Sequence, residues 1–377
     1  MKRHVLIIGA GFGGLELATR LSETLQDAVR VTLLDRNDSF VFGYSKLEVM
    51  LGRQSAKEIR LPYASFAKDA VEFRQETVTA IDPVARRVTT GEGTYDADFL
   101  VIAMGADYDF AATPGLEQDG HEFYTVAGAE RLRDALAGFD GGKVVVSVLG
   151  QPFKCPPAPF EGAFLLHEHF IQRGIRDNVE LTSAFPMQRP VPVTGEVSQM
   201  FRDALASRGI EERSQTLVTS IDAGTARLAG GGTLPYDLFV GIPVHRAPDP
   251  LTAAGLAVNG WVPVDQTNLR TQFPQVYAIG DVCTGPRTVP KAGIFAESAA
   301  LVVAQDIAAA VAGAGQPEPY GGSGVCYAEF GAGLVSKVEV NFLSGPKAQA
   351  QRHEPSREFA ADKEEFGRTR QARWFGR

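Results

Sequence analysis

The string Gly9-Ala10-Gly11-Phe12-Gly13-Gly14 lies directly after the apolar run Val5-Leu6-Ile7-Ile8 and directly before a stretch of helical spacing, Gly14 to Thr24. No other feature constrains the fold as strongly. A G-x-G-x-x-G turn between a strand and a helix lets Gly9 make the tight turn and Gly11 admit a pyrophosphate against the backbone. Gly14 then lets helix and strand touch. The helix N-terminus points its positive end at the phosphates. Val29 to Leu34 reads as a second strand, which completes a βαβ unit. Asp35 ends that strand, where a carboxylate accepts hydrogen bonds from the ribose hydroxyls of an adenosine and disfavours a 2′-phosphate. The glycines alone are a weak signal; with strand, helix and acid in order they read as a dinucleotide site.

The same order returns further along. Lys143 to Leu149 reads as a strand, Glu161 to Arg173 as a helix, Val179 to Thr182 as a strand and Glu196 to Arg208 as a helix. Phe99 to Ala103 and Leu238 to Ile242 are apolar runs that would each close one module. After Gly321 come strands near Val325 to Phe330 and Lys337 to Phe342, then a charged helix from about Ser356. The expectation is an α/β protein of two Rossmann-like modules, the second inserted in the first, with a small C-terminal α+β region. The boundaries fall at 1–107 and 245–320 for the first module, 108–244 for the second, and 321–377 for the C-terminal region.

Composition narrows the function. At 377 residues, 44% hydrophobic and 22% charged, the chain has the make-up of a globular protein, and its net charge of -8 argues against a nucleic-acid partner. Lys2-Arg3-His4 before the first apolar run reads as the start of a strand rather than a leader, because the glycine turn follows at once. The apolar stretch Ala299 to Ala314 is broken by Gln305 and Asp306 and reads as too short and too polar for a bilayer. Three cysteines, Cys155, Cys283 and Cys326, are too few for a structural disulfide framework, so a reducing, cytoplasmic setting is expected. His167 and His169 are two apart on one helix and face different sides, so no metal site is expected.

Thr271-Gln272-Phe273-Pro274-Gln275-Val276-Tyr277-Ala278-Ile279-Gly280-Asp281 resembles the second flavin motif of the pyridine nucleotide-disulfide oxidoreductase superfamily. That resemblance implies FAD as the cofactor, with Gly280 at the turn and Asp281 on the ribityl chain. Phe99 to Gly105 resembles the strand and turn that end Ala-Thr-Gly in the superfamily, with Met104 in the Thr position and Gly105 retained. Pro290-Lys291-Ala292-Gly293 opens a helix whose N-terminus, in the superfamily, faces the flavin pyrimidine ring; Lys291 either adds a cation there or faces solvent.

Where NADH-oxidising members carry a second glycine fingerprint, this chain reads Gly150-Gln151-Pro152-Phe153-Lys154-Cys155-Pro156-Pro157-Ala158-Pro159-Phe160-Glu161. Prolines and a bulky Phe153 replace the glycines, so the second module is expected to have kept its fold and lost its nucleotide. This string, together with Gly324-Val325-Cys326-Tyr327-Ala328-Glu329-Phe330, resembles sulfide:quinone oxidoreductases and the flavin subunit of flavocytochrome c sulfide dehydrogenase. The resemblance implies that Cys155 and Cys326 form a redox bridge over the flavin, that Glu161 accepts a proton beside it, and that sulfide and a quinone are the partners. Two unrelated buried thiols are the plain alternative for the cysteines, and a helix-terminal carboxylate for Glu161. His245, where the second module returns toward the flavin, is a further proton-carrying candidate, whereas Cys283 reads as a core residue.

The sequence departs from those families in three ways. Asp38 to Leu51 has no cysteine for covalent flavin attachment, no third catalytic cysteine is present, and the C-terminal tail is short. That tail combines Phe359, Phe366, Trp374 and Phe375 with Arg368, Arg370, Arg373 and Arg377, which suits either peripheral membrane contact on the inner face or packing on the chain's own flavin module. A homo-oligomer is compatible with this reading. Two other functions stay open at this level: an NAD(P)H-dependent flavin or quinone reductase, and a non-catalytic FAD protein whose cysteines act as a redox switch.

Overall fold

A computed structural model describes residues 2–376, so Arg377 of the basic tail lies outside the described residues. Five parallel strands form the first sheet in the order Val276–Ala278, Phe99–Ile102, Arg3–Ile8, Val29–Asp35 and Val71–Gln75. Val5, Leu6, Ile7 and Ile8 are wholly buried, because a parallel strand covered on both faces has no solvent side to alternate with. Helix Phe12–Leu25 lies against this sheet through Leu15, Leu17, Ala18 and Leu21 and packs along helix Gly293–Ala312.

The second sheet is also parallel, in the order Ile210–Arg213, Val179–Ala184, Gly142–Val148 and Leu238–Ile242. Helices Ala158–Gln172 and Gly195–Ser207 belong to this module. The chain completes this sheet before Val276–Ala278 returns to the edge of the first, so the second module is inserted in the first, as expected. Each module also contains a three-stranded antiparallel meander before its last strand, over 78–96 and 218–235. These meanders were not foreseen. Their strands are three to five residues long and largely solvent-facing, so they carry too little periodicity to register.

A final antiparallel sheet pairs Ser323–Glu329 with Val335–Asn341 and the latter with Gln349–Arg352. Cys326 sits opposite Val338. Strand alternation puts it on the same face as Gly324, where an added Cβ would lie 3.0 Å from Ile294, and as the buried Ala328. That face looks inward, at the first turn of helix Gly293–Ala312.

Two segments with a candidate membrane role are placed by the fold. Helix Gly293–Ala312 is longer than the apolar stretch suggested, and by length and composition alone it could cross a bilayer. In this fold it is a core helix: its buried face meets Phe12–Leu25, and Asp306 accepts hydrogen bonds from Arg270 and from Tyr277 Oη at 2.7 Å. The C-terminal helix Glu358–Phe375 does not present a basic aromatic face. Trp374 is fully buried in a ring cluster with Phe12 and Phe40, each 5.5 Å away, and Phe375 is buried beside it. Arg373 is paired with Glu16 at 2.7 Å and Glu23 at 3.1 Å, Arg370 with Glu297 at 2.9 Å and Arg368 with Glu365 at 2.6 Å. The helix is a strap on the first module.

Candidate active site

A cavity of about 690 Å³ begins at the glycine turn and runs to the C-terminal sheet. Gly9, Gly11, Asp35, Gly105, Gly280 and Asp281 line it together with Cys155, Glu161 and Cys326. Gly14 stands behind the turn: a Cβ on it would lie 1.9 Å from the Gly9 carbonyl oxygen, so only glycine lets helix and strand meet there. Gly9 has φ +103°, a left-handed conformation that other residues resist, and its α-carbon faces the Ala103 carbonyl.

The residues present fit a flavin dinucleotide. Gly11 opens onto empty space, with no atom within 4 Å of where a Cβ would stand, at the N-terminus of helix Phe12–Leu25. Asp35 accepts hydrogen bonds from Ala10 N at 2.7 Å and from Asn37 N and Nδ2 at 2.8 Å. These fix the turn and leave its carboxylate further accepting capacity. Oδ1 of Asp281 is buried with no hydrogen-bond partner among the described residues, which suits a hydroxyl donor from a bound molecule.

Three separated segments bring the sulfur residues together. Cys155 lies in the turn before helix Ala158–Gln172, in a left-handed conformation with φ +54°. Its N–H donates to Lys291 O at 2.6 Å, and its carbonyl accepts from Ala158 N at 2.9 Å. Glu161 projects from the first turn of the same helix, and its Oε1 accepts the Glu329 N–H at 2.9 Å, which ties that helix to the strand carrying Cys326. Both cysteines carry free thiols. Burial, then the charge of Glu161, pushes the Cys155 thiol well up, and the same two causes push Cys326 up to about 12. Burial raises Glu161 to about 7, against the pull of Lys363, whose ammonium is paired with Glu329. An acid held there exchanges its proton near neutral pH.

Two proposed site residues stand outside this cavity. His245 is buried behind Tyr108 and Tyr124, with ring centroids 5.0 and 5.4 Å away. Its Nδ1 donates to Pro243 O at 2.7 Å, and burial followed by Lys154 holds it down at about 3, so it stays neutral and has no cavity face from which to carry a proton. Lys291 neither faces solvent nor lines the cavity. It is buried on the far side of Asp281, donating to the carbonyls of Asp281 at 2.6 Å and Cys283 at 3.1 Å, with its Nζ 3.4 Å from the centre of the Trp261 ring. Lys291 and Cys283 line a second cavity of about 790 Å³ with Pro152 and Phe153. Burial lowers Lys291 to about 8 and raises Cys283 to about 12.

Sequence reasoning passed over several residues. Lys46, Lys154, Tyr124 and Lys363 all line the first cavity. Lys46 Nζ donates to Tyr124 O at 2.6 Å, Lys154 Nζ to Ala106 O at 2.9 Å, and Tyr124 Oη to Lys154 O at 2.9 Å. Lys154 stood inside the quoted cysteine string and was open to notice there. Lys46 lies on the short helix Ser45–Met50, whose sequence carries no motif.

The family model described as pyridine nucleotide-disulphide oxidoreductase matches residues 3–150 and 171–294, most of the chain. A sulfide-quinone reductase of Aquifex aeolicus is 27% identical over 361 residues, covering 88% of this chain and 82% of its own length. A mitochondrial sulfide:quinone oxidoreductase of Mus musculus is 26% identical, covering 80% and 70%. The crystal structure of the sulfide:quinone oxidoreductase from Aquifex aeolicus superposes with a TM-score of 0.84 at 24% identity, over 97% of this chain and 90% of that one. With the glycine turn, Asp35 and Asp281 gathered on one cavity, FAD is the cofactor. This chain belongs to the pyridine nucleotide-disulphide oxidoreductase family and is an oxidoreductase.

Proposed function

We propose that the protein oxidises sulfide, uses Cys155 and Cys326 as its redox pair, and delivers the electrons to a quinone. The observation that carries this reading is the meeting of Cys155, Glu161 and Cys326 on the cavity that the glycine turn also lines. Its similarity to two named sulfide-quinone oxidoreductases over most of their length supports the same substrates.

The oxidised form of the site is a disulfide between Cys155 and Cys326. Hydrosulfide attacks one of its sulfurs, so a new sulfur–sulfur bond forms while the old one breaks. One cysteine then holds a persulfide, and the other leaves as a thiolate carrying the electron pair. Glu161 takes the proton that the attacking sulfur loses, since its carboxyl is poised near neutral pH beside both cysteines. FAD, held by Gly9, Gly11, Asp35, Gly105, Gly280 and Asp281, supplies the two-electron acceptor that links the thiolate to the quinone. A second hydrosulfide attacks the outer sulfur of the persulfide and leaves with it as hydrodisulfide, so both cysteines stand as thiolates, and the disulfide re-forms as that single electron pair passes by way of the flavin to the quinone. The quinone brings the protein to a membrane surface as a peripheral enzyme.

An NAD(P)H-driven reaction is disfavoured by the second module. Its turn carries the buried Phe153 with Pro156 and Pro157, the latter at the helix N-cap, in place of the glycines that would offer a pyrophosphate bare backbone.

Serine at Cys155 or Cys326 tests the proposal, because an alcohol replaces neither the exchanging thiol nor the departing thiolate. Both variants keep their FAD and lose sulfide-dependent quinone reduction by at least two orders of magnitude, whereas Cys283→Ser, in the other cavity, stays near wild type. Retained turnover in both variants refutes the reading.

A further inference from the structure

We propose that Lys46 and Lys154 form a binding site for a small monovalent anion beside Cys155, and that hydrosulfide, rather than neutral hydrogen sulfide, is the form of substrate it takes. The identity of the anion rests on the sulfide reading; the site itself does not.

Both ammonium groups reach the first cavity, and each has one protein acceptor: Tyr124 O for Lys46 and Ala106 O for Lys154. An ammonium has three donors; Lys46 keeps two uncommitted, and Lys154, whose Nζ also sits 4.3 Å from the centre of the Tyr108 ring, keeps at least one. Neither lysine has a carboxylate within ion-pair distance among the described residues. The surrounding groups do not fill that gap. Glu122, the carboxylate nearest Lys46 in effect, is already held by Thr125 N at 2.8 Å, Tyr124 N and the Thr125 hydroxyl. Tyr108 and Tyr124 spend their hydroxyl hydrogens on the carbonyls of Tyr124 and Lys154. His245 stays neutral, and Lys291, which also senses Lys154, adds to the positive side. Asp281 lies close enough to feel Lys154, but burial works against its charge.

Two half-buried lysines therefore share a cavity wall with spare donors and no paired counter-charge, an arrangement that favours the entry of an anion. Burial already presses Lys46 down, with the charge of Tyr108 opposing it and that of Lys154 adding to it. An anion between the lysines relieves both the repulsion and the unmet donors. Cys155 follows Lys154 in the chain, lines the same cavity and lies within the electrostatic reach of Lys46, so an anion held there shares a cavity with the sulfur it attacks. Glu161 stands on the same side, and its readiness to hold a proton keeps it from repelling that anion.

Thiocyanate serves as the probe, since it is a soft monovalent anion that binds without turnover. Calorimetric titration of the FAD-loaded protein gives one saturable site, weakened at least tenfold in Lys46→Met and in Lys154→Met and absent in the double variant. Lys154→Arg keeps it. In parallel, thiocyanate slows anaerobic flavin bleaching by sulfide competitively in the wild type, and each methionine variant raises the sulfide concentration for half-maximal bleaching about tenfold while reduction by dithionite is unchanged. Thiocyanate that binds wild type and double variant alike, or binds neither saturably, overturns the proposal. If thiocyanate binds and depends on the lysines while sulfide fails to bleach the flavin, the anion site stands and the sulfide reading falls.

Discussion

Glu161 is an acid that the fold keeps at a cost, and replacing it with glutamine exposes that cost. Its carboxyl rises from 4.5 to about 7 chiefly because it is buried. One pKa unit is worth about 1.4 kcal/mol, so the shift corresponds to about 3 kcal/mol of penalty for holding the charged form in the folded chain. The sign follows from proton binding. Between about pH 4.5 and 7 the native protein holds this proton and the unfolded chain releases it, so stability is full below that window and falls as pH rises through it. A glutamine side chain cannot ionise, yet its amide oxygen can still accept the Glu329 N–H that Glu161 accepts now. Glu161→Gln is therefore expected to match the wild type near pH 5 and to exceed it by about 3 kcal/mol near pH 8. Urea unfolding of the FAD-loaded protein at several pH values, followed by circular dichroism, measures the gap. The same variant loses most of its sulfide-dependent flavin bleaching. A stability gap that is absent at pH 8, or equally large at pH 5, refutes the assignment of Glu161 as a buried, proton-exchanging acid.

NADH and NADPH are expected to reduce the flavin at least a hundredfold more slowly than sulfide, given the proline-rich turn of the second module; fast anaerobic bleaching by either one contradicts this. Gly14→Ala forces a Cβ into the Gly9 carbonyl, and the purified protein should be colourless because the turn no longer holds FAD; a yellow variant with full flavin content disproves that. Arg373→Met leaves the buried Glu16 to Arg20 and Trp374 Nε1 alone, at a cost of about 1–3 kcal/mol. Faster hydrogen exchange over 358–375, with the rest unchanged, is the expected sign, and unaltered exchange there would show that the strap is held by its aromatic residues instead.

What the sequence disclosed was local in origin. The glycine turn, Asp35 and the buried parallel strands announce themselves within a few residues, since tight turns and two-sided burial restrict residue types at short range. Helix Phe12–Leu25 begins two residues before the expected Gly14, and strand Leu238–Ile242 matches its apolar run. The strand Val71–Gln75 was not read, because an edge strand with an exposed, charged sequence has no apolar run to mark it. The pairing of Cys155 with Cys326 came through resemblance alone, and no spacing rule joins two residues on different modules. Lys46 was invisible for the same reason: its partner Tyr124 is 78 positions away, and only the folded chain sets them against Cys155. His245 and Lys291 were placed by chain position near the right elements, but which side of Asp281 or Tyr108 each side chain occupies depends on packing that periodicity does not encode.

The second module explains how one fold can change chemistry without changing its frame. In a parallel sheet the turn after a strand opens at the carboxyl edge and leads into a helix N-terminus, which favours negative charge. The first module uses this at Gly11 and helix Phe12–Leu25. The second retains the same strand, Gly142–Val148, and the same kind of helix, Ala158–Gln172, but Phe153 and prolines stand where the first module has its glycines. The turn presents a thiol instead, on the left-handed Cys155, with Glu161 one helical turn behind it. An edge built to attract one anion needs little alteration to attract another: on the proposed reading the helix terminus, Lys154 from the same turn and Lys46 from the first module favour an anion in the cavity that Cys155 lines. On the proposed reading, the turn that would hold a nucleotide in the second module carries the sulfur chemistry instead, at the same helix terminus.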